Sequence, residues 1–275
     1  MDTLSSIDAV RGWRGASEVG FVPTMGALHE GHASLIRRSV TDNPRTLVSI
    51  FVNPAQFAPG EDLAKYPRTI QQDLQLCADC GADAVFTPDK QMMYPPGFAT
   101  WVDVEGLTDR LCGATRPGHF RGVTTVVAKL FHITGATRAY FGQKDAQQVI
   151  VLRRMVDDLN LPIELITCPI IREPDGLAMS SRNRYLSALE RERATGISKA
   201  LRAVETLFQK GTREVSILRA SLVTGLSNHV DKLDYAEVLD AGNLSDIQRV
   251  DRPSLAAVAA FIGSTRLIDN VVLAP

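Results

Sequence analysis

The chain has 275 residues, 45% of them hydrophobic, and 30 basic residues against 31 acidic for a formal net charge of -1. That supplies one large core or two modest ones, and it excludes the strongly basic field that would draw a protein to nucleic acid or anionic lipid. No run reaches the roughly 18 apolar residues of a membrane span, and the polar start "MDTLSSIDAV" lacks the layout of a secretory signal, so the expectation is a cytoplasmic protein with small-molecule partners.

In chain order, "VGFVPT" (19–24) reads as the first strand and is followed by a helix near 31–40. "TLVSIFVN" (46–53) and "DAVFTP" (83–88) are further strands, with a helix near 69–80 between them. A helix near 122–134 precedes the strand "RAYFG" (138–142). The next helix, 145–159, repeats Val149, Leu152, Val156 and Leu159 at helical spacing before the strand "IELITCPII" (163–171). Near-continuous apolar runs suit strands buried on both faces. Alternation with helices predicts an α/β, Rossmann-like, doubly wound parallel sheet.

After "REPDGLAMSSRN" (172–183) the pattern changes. A helix over 187–210 carries Ile197, Leu201, Val204 and Phe208, and a second over 214–229 carries Val215, Leu218 and Leu222. Strands at 233–240, 255–263 and 266–273 follow, which predicts a smaller α+β C-terminal domain. The expected units are 1–174 and 175–275. Of four cysteines, Cys77 and Cys80 form a CxxC. With no second pair at ligand spacing, "LQLCADCGADAVF" reads as a helix end, a glycine stop and a new strand.

Five segments carry candidate chemistry. "MGALHEGH" (25–32) holds two of the five histidines. His29 and His32 are three apart between glycines, one residue short of the helical zinc-protease spacing, so the metal reading gives way to a strand, a glycine turn and a helix start. Such a turn offers free backbone N–H groups to phosphate, with both imidazoles as donors on one side; two exposed loop histidines are the plainer alternative. "VNPAQF" (52–57) brings the neutral amides Asn53 and Gln56, suited to hydroxyl or carboxylate recognition, or merely a strand-end turn. "FGQKD" (141–145) sets Lys144 beside Asp145, as a phosphate contact or as an ion pair capping the next helix. "AMSSR" (178–182) is a hydroxyl-rich loop with Arg182, a phosphate clamp or an interdomain linker. "RPGHFRGV" (116–123) carries Arg116, His119 and Arg121 into a helix. A doubly wound sheet would bring "VNPAQF", "FGQKD" and "AMSSR" to one crevice at the carboxyl edge of its strands.

"PTMGALHEGH", "VSIFVNPAQF", "KYPRT", "FGQKDAQQ" and "GLAMSSRNRYLS", with "TRLIDN" (265–270), closely resemble the motifs of the pantothenate synthetase (pantoate-beta-alanine ligase) family, within the HxGH nucleotidyltransferase superfamily. Gln143 stands where relatives often have glutamate, a position with no expected role. The resemblance implies ATP-dependent condensation of (R)-pantoate with β-alanine through a pantoyl adenylate, releasing AMP and pyrophosphate, with Mg²⁺ bridging phosphate oxygens. It places Met25, Gly26, His29, His32, Gly142, Lys144, Asp145, Ile171, Met179, Ser180, Ser181 and Arg182 around ATP, with His32, His29 and Lys144 catalytic. Gln56, Gln148 and Asn53 fall to pantoate, and Gln56 also to β-alanine. It further implies a smaller C-terminal lid and a homodimer. Imidazole, ammonium and guanidinium groups would supply positive charge or donors to the triphosphate, while uncharged glutamines would leave the pantoate carboxylate nucleophilic. A nucleotidylyltransferase with a phosphate acceptor would want more arginines beside the acceptor, and a nucleotide-sensing module would need only part of this set. An aminoacyl-tRNA ligase lacks support, since no basic anticodon-binding region is present.

Overall fold

The computed structural model describes residues 1–58 and 61–275. Its first part runs β1 (Asp2–Leu4), α1 (Ile7–Arg14), β2 (Gly20–Thr24), α2 (Glu30–Asp42), β3 (Thr46–Ile50), α3 (Ile70–Asp79), β4 (Ala84–Phe86) and α4 (Lys90–Met93). It continues through α5 (Cys112–Thr115), α6 (His119–Thr134), β5 (Arg138–Gly142), α7 (Ala146–Asp158) and β6 (Glu164–Cys168). All strand pairs are parallel, in the order β1-β4-β3-β2-β5-β6. The expected α/β doubly wound sheet is therefore present, with one more strand than the sequence pattern suggested. β1 has three residues and joins the edge beside β4, too short for any periodicity to announce it. The strands predicted at 46–53 and 163–171 stop early, before Pro54 and Pro169, whose rings leave no N–H for the ladder.

Successive side chains point to opposite faces of a strand, and here both faces are covered. Phe21, Leu47, Phe86 and Phe141 join the core under α1, α6 and α7 through Val10, Phe131 and Leu152. Their strand neighbours Val22, Val48, Val85 and Tyr140 pack on the other face with Ile36 of α2 and Cys77 of α3. That explains why the runs look continuously apolar rather than alternating. Cys77 and Cys80 are buried free thiols at the end of α3, as the helix-end reading expected, and burial pushes Cys77 up to about 12.

The rest of the chain forms α8 (Ala188–Gln209), α9 (Val215–Leu226) and an antiparallel sheet of β7 (Lys232–Asp240), β8 (Ser254–Ile262) and β9 (Thr265–Leu273) in that order. Ser187 and Glu190 close a reciprocal capping box at the start of α8. Ile197, Leu201 and Val204 of α8, with Leu218 and Leu222 of α9, pack on Ala256 and Val258 of β8. Among the described residues no helix is long and apolar enough to cross a membrane.

The large sheet reverses direction at β2. From there β3 and β4 build outward on one side while β5 and β6 build on the other. The carboxyl ends of β2 and β5 thus flank a crevice, where ligands bind in open α/β sheets.

Candidate functional site

At the end of β2, Gly26 (φ 80) and Ala27 (φ 50) turn the chain through the left-handed region, and α2 begins with His29 as its N-cap. His29 Nδ1 accepts the Gly31 N–H at 3.1 Å, and His32 Nδ1 accepts the His29 N–H at 3.3 Å. Two imidazoles thus do what a serine and a glutamate do in an ordinary capping box. With Nδ1 accepting, the ring proton of each sits on Nε2. The ring centroids are 4.2 Å apart. Burial, then the Lys144 ammonium, pushes His29 down to about 4; burial, then His29 and Lys144, pushes His32 down to about 3. In the unliganded chain both rings are then neutral at pH 7, each presenting an Nε2–H donor.

Asp73, on α3, holds this turn and was missed by the sequence reading. It is 3% exposed and accepts the N–H groups of Ala27 (3.0 Å) and Leu28 (2.8 Å) and the Thr69 hydroxyl (3.1 Å). The available signal was a carboxylate one helical turn before Cys77 on the buried stripe of α3.

Across the crevice, Lys144 and Asp145 lie in the short 3-10 turn Gln143–Asp145 that follows Gly142 at the end of β5. Asp145 makes no side-chain cap to α7, so that alternative falls. The turn is gripped from the C-terminal sheet. Asn270 Nδ2 donates to the carbonyls of Gln143 and Lys144, each at 3.0 Å, and its Oδ1 accepts from Gln143 Nε2 at 3.0 Å. Gln143, to which no role was given, is thus half of a contact between the two sheets. Nearby, Ser180 caps a 3-10 turn over Ser181–Tyr185 by accepting the Arg182 N–H at 3.2 Å. The Met179 N–H bonds the Ile171 carbonyl at 2.9 Å, and Arg172 pairs with buried Asp269 at 2.6 and 3.1 Å. Asn183 donates to Glu173 and to the Ala178 carbonyl, so the segment is a tied structure rather than a plain linker.

These walls enclose a cleft of about 240 Å³. Met25, His29, His32, Gly142, Lys144 and Asp145 line it, as do Met179, Ser180, Ser181 and Arg182. The amide side consists of Asn53, Gln56 and Gln148. Gly26 and Ile171 are not among the lining residues: Gly26 turns the chain ahead of His29 at φ 80, and the Ile171 carbonyl holds the Met179 N–H. The "RPGHFRGV" segment divides. His119 Nδ1 meets the Gln56 carbonyl at 2.8 Å and its Nε2 meets Arg116 at 3.1 Å, so the ring donates through Nδ1 and accepts through Nε2; burial and the Arg116 charge push it down to about 4. Arg116 is held by Glu61 through two 2.7 Å contacts. Arg121 points elsewhere, over the Trp101 ring and toward Asp103. A side chamber of about 80 Å³ adjoins the cleft past Gln148 and Lys144 and reaches Cys112, Tyr235 and Arg266. Among the described residues no group of three metal-ligating side chains is assembled. Among the described residues that line the cleft Asp145 is the carboxylate, which fits a magnesium ion held mainly by phosphate oxygens and water.

The profile of the family described as pantoate-beta-alanine ligase matches residues 1–272. A protein named pantothenate synthetase from Acidobacterium capsulatum is 55% identical over 260 residues, 94% of this chain and 87% of that protein. The protein of that name from Moorella thermoacetica is 50% identical over 279 residues, with 99% of each covered. The crystal structure of pantothenate synthetase from Thermus thermophilus superposes with a TM-score of 0.97 at 43% identity over the whole of both chains. A Francisella tularensis pantoate-beta-alanine ligase, described as complexed with beta-gamma ATP and beta-alanine, has a TM-score of 0.82 at 35% identity, covering 99% of this chain and 97% of that one.

Proposed function

Because the chain belongs to the pantoate-beta-alanine ligase family, we propose that it joins pantoate to β-alanine at the expense of ATP, through a pantoyl adenylate, releasing pyrophosphate and then AMP. One observation carries the reading: two neutral imidazole donors and the Lys144 ammonium share one cleft with the uncharged amides Gln56 and Gln148.

A carboxylate is a poor acyl donor, so activation comes first. A pantoate oxygen attacks the α-phosphorus of ATP as the bond to pyrophosphate breaks; the β-alanine amine then attacks the acyl carbon, AMP departs and the amine loses a proton. The catalytic work is positioning two anions and stabilising charge at phosphorus. The Nε2–H groups of His29 and His32, with Lys144, Ser180, Ser181 and Arg182, would hold the triphosphate. Met25, Gly26, Gly142, Asp145, Ile171 and Met179 would surround the nucleotide. Gln56 and Gln148 would hold pantoate without a counter-charge, keeping its carboxylate nucleophilic, and Gln56 would also meet β-alanine. Mg²⁺, bound by the triphosphate with Asp145 as its protein neighbour, would neutralise phosphate charge. Residues 1–174 would form the nucleotide-binding unit and 175–275 the smaller lid, in a cytoplasmic homodimer.

The rival phosphate acceptor would ask for arginines beside Gln56. The arginine there, Arg116, is already engaged by Glu61. The deciding experiment is isotope exchange between pyrophosphate and ATP with Mg²⁺ and pantoate, without β-alanine. Pantoate-dependent exchange is expected; pantothenate formation with no such exchange would sink the adenylate route.

A further inference from the structure

Asn53 lines the cleft, yet it has no hydrogen-bonding capacity left for a ligand. It is 1% exposed. The backbone N–H of Ala55, which can only donate, lies 3.3 Å from Oδ1, and the Gly122 carbonyl, which can only accept, lies 3.0 Å from Nδ2. Those two groups settle which end of the amide is which. Gly122 can come so close because it has no side chain: a Cβ there would stand 2.2 Å from the Ala55 carbonyl oxygen. The remaining positions are also filled. The Tyr94 hydroxyl donates to Oδ1 at 2.8 Å, and the second N–H of Nδ2 donates to Gln56 Oε1 at 3.0 Å.

The polarity of Gln56 follows. Its Oε1 is turned to Asn53, so its Nε2 is the end that faces the cleft, where it lies 3.0 Å from the Met25 thioether. Sulfur is a weak acceptor, readily replaced by a ligand oxygen. Resting on the reading of Gln56 as a contact to the acid substrate, we propose that Tyr94 is a positioning residue: through Asn53 it locks Gln56 with its N–H groups toward the cleft, so that the site takes an oxygen acceptor. Tyr94 makes the shorter of the two bonds on Asn53 Oδ1, and without it that buried oxygen keeps a single contact at 3.3 Å. Burial pushes the Tyr94 phenol up to about 12, so it keeps its proton to donate. The ring is itself fixed, edge-on to Phe98 at 5.1 Å and stacked with Trp101 at 6.2 Å. The Tyr94 hydroxyl, outside the cleft lining, thereby sets the direction of an amide inside it.

The test compares Tyr94→Phe, which keeps the ring and deletes the donor, with Trp101→Leu, which loosens the ring and keeps the donor; Trp101 is 39% exposed, so its loss is tolerated. Pantoate binding by calorimetry, the KM for pantoate, the KM for ATP and the thermal midpoint are measured for each. Tyr94→Phe should weaken pantoate binding and raise its KM about three- to tenfold, with the KM for ATP and the midpoint unchanged, while Trp101→Leu leaves the pantoate KM within about twofold. Wild-type pantoate affinity in Tyr94→Phe, or equal losses in both variants, overturns the proposal. Wild-type protein that binds no pantoate overturns both this and the assignment of Gln56, whereas normal wild-type binding with an unaltered Tyr94→Phe overturns the positioning role alone.

Discussion

The two walls of the cleft are built in different ways. The histidine wall is local: His29 and His32 are oriented by backbone groups within three residues of themselves, with Asp73 as a support from farther along the chain. The lysine wall is held from afar. Asn270 grips the turn carrying Lys144 from 126 residues away, and Asp269 grips Arg172, just ahead of Met179–Arg182, from 97 residues away. The C-terminal sheet thus takes part in building the cleft: two adjacent residues of β9 hold both segments in place. Placement of the imidazoles should survive damage to the small sheet, and placement of the ammonium should not.

The largest expected effect lies on the groups themselves. Lys144→Ala and His32→Ala should each slow adenylation about 100-fold or more, ~3 kcal/mol, with the fold preserved; pre-steady-state pyrophosphate release checks this, and near-normal turnover in either removes that residue from the mechanism. Next comes the remote grip. Asn270→Ala orphans the Gln143 and Lys144 carbonyls and should cost about 2 kcal/mol of stability and more than tenfold in kcat. Nucleotide titrations watched through the His29 and His32 ring signals should still report an intact histidine wall; loss of those signals' native positions would show the walls are not independent.

Asp73→Asn sharpens the comparison from the other side. An amide presents one acceptor oxygen where the carboxylate used two, so one of the Ala27 and Leu28 N–H groups faces a donor. About tenfold in kcat and about 1–2 kcal/mol of stability should be lost, with the KM for pantoate little changed; an equal rise in the pantoate KM would place Asp73 elsewhere in the machinery.

The smallest effect is the absence of one. Burial holds His29 and His119 near 4 and His32 near 3, below the usual 6.5. As pH falls the unfolded chain takes up these protons first, so the stability that depends on neutral rings is complete above pH 6.5 and is lost on the way down to about 4. Ring resonances of the three should stay flat from pH 8 to about 5.5 while the thermal midpoint declines below about 6.5. A ring titrating near neutrality would contradict its burial.

Much of this was legible in the sequence. Doubly buried strands show as continuous apolar runs, and the glycine turn, the short histidine spacing and the strand-end lysine are all features of neighbouring residues. β1 escaped because three residues carry no period. Asp73, Tyr94 and Gln143 escaped because each acts through a partner more than 40 residues away; the placement of Asp73 on the buried stripe of α3 marks it as buried but does not say what it holds. Arg121 shows the converse: beside Arg116 and His119 it looks like a site residue, but α6 rotates it onto Trp101.

The alternation of strands and helices, a crevice at the carboxyl edge of the sheet and most of the residues that line the cleft follow from the sequence, because helix and strand periods and turn residues act over a few positions. The protonation of the imidazoles, the donor end of Gln56 and the grip of β9 on Lys144 were decided only in the folded chain. Desolvation and hydrogen-bond direction depend on what surrounds an atom in three dimensions, and those neighbours are distant along the polypeptide.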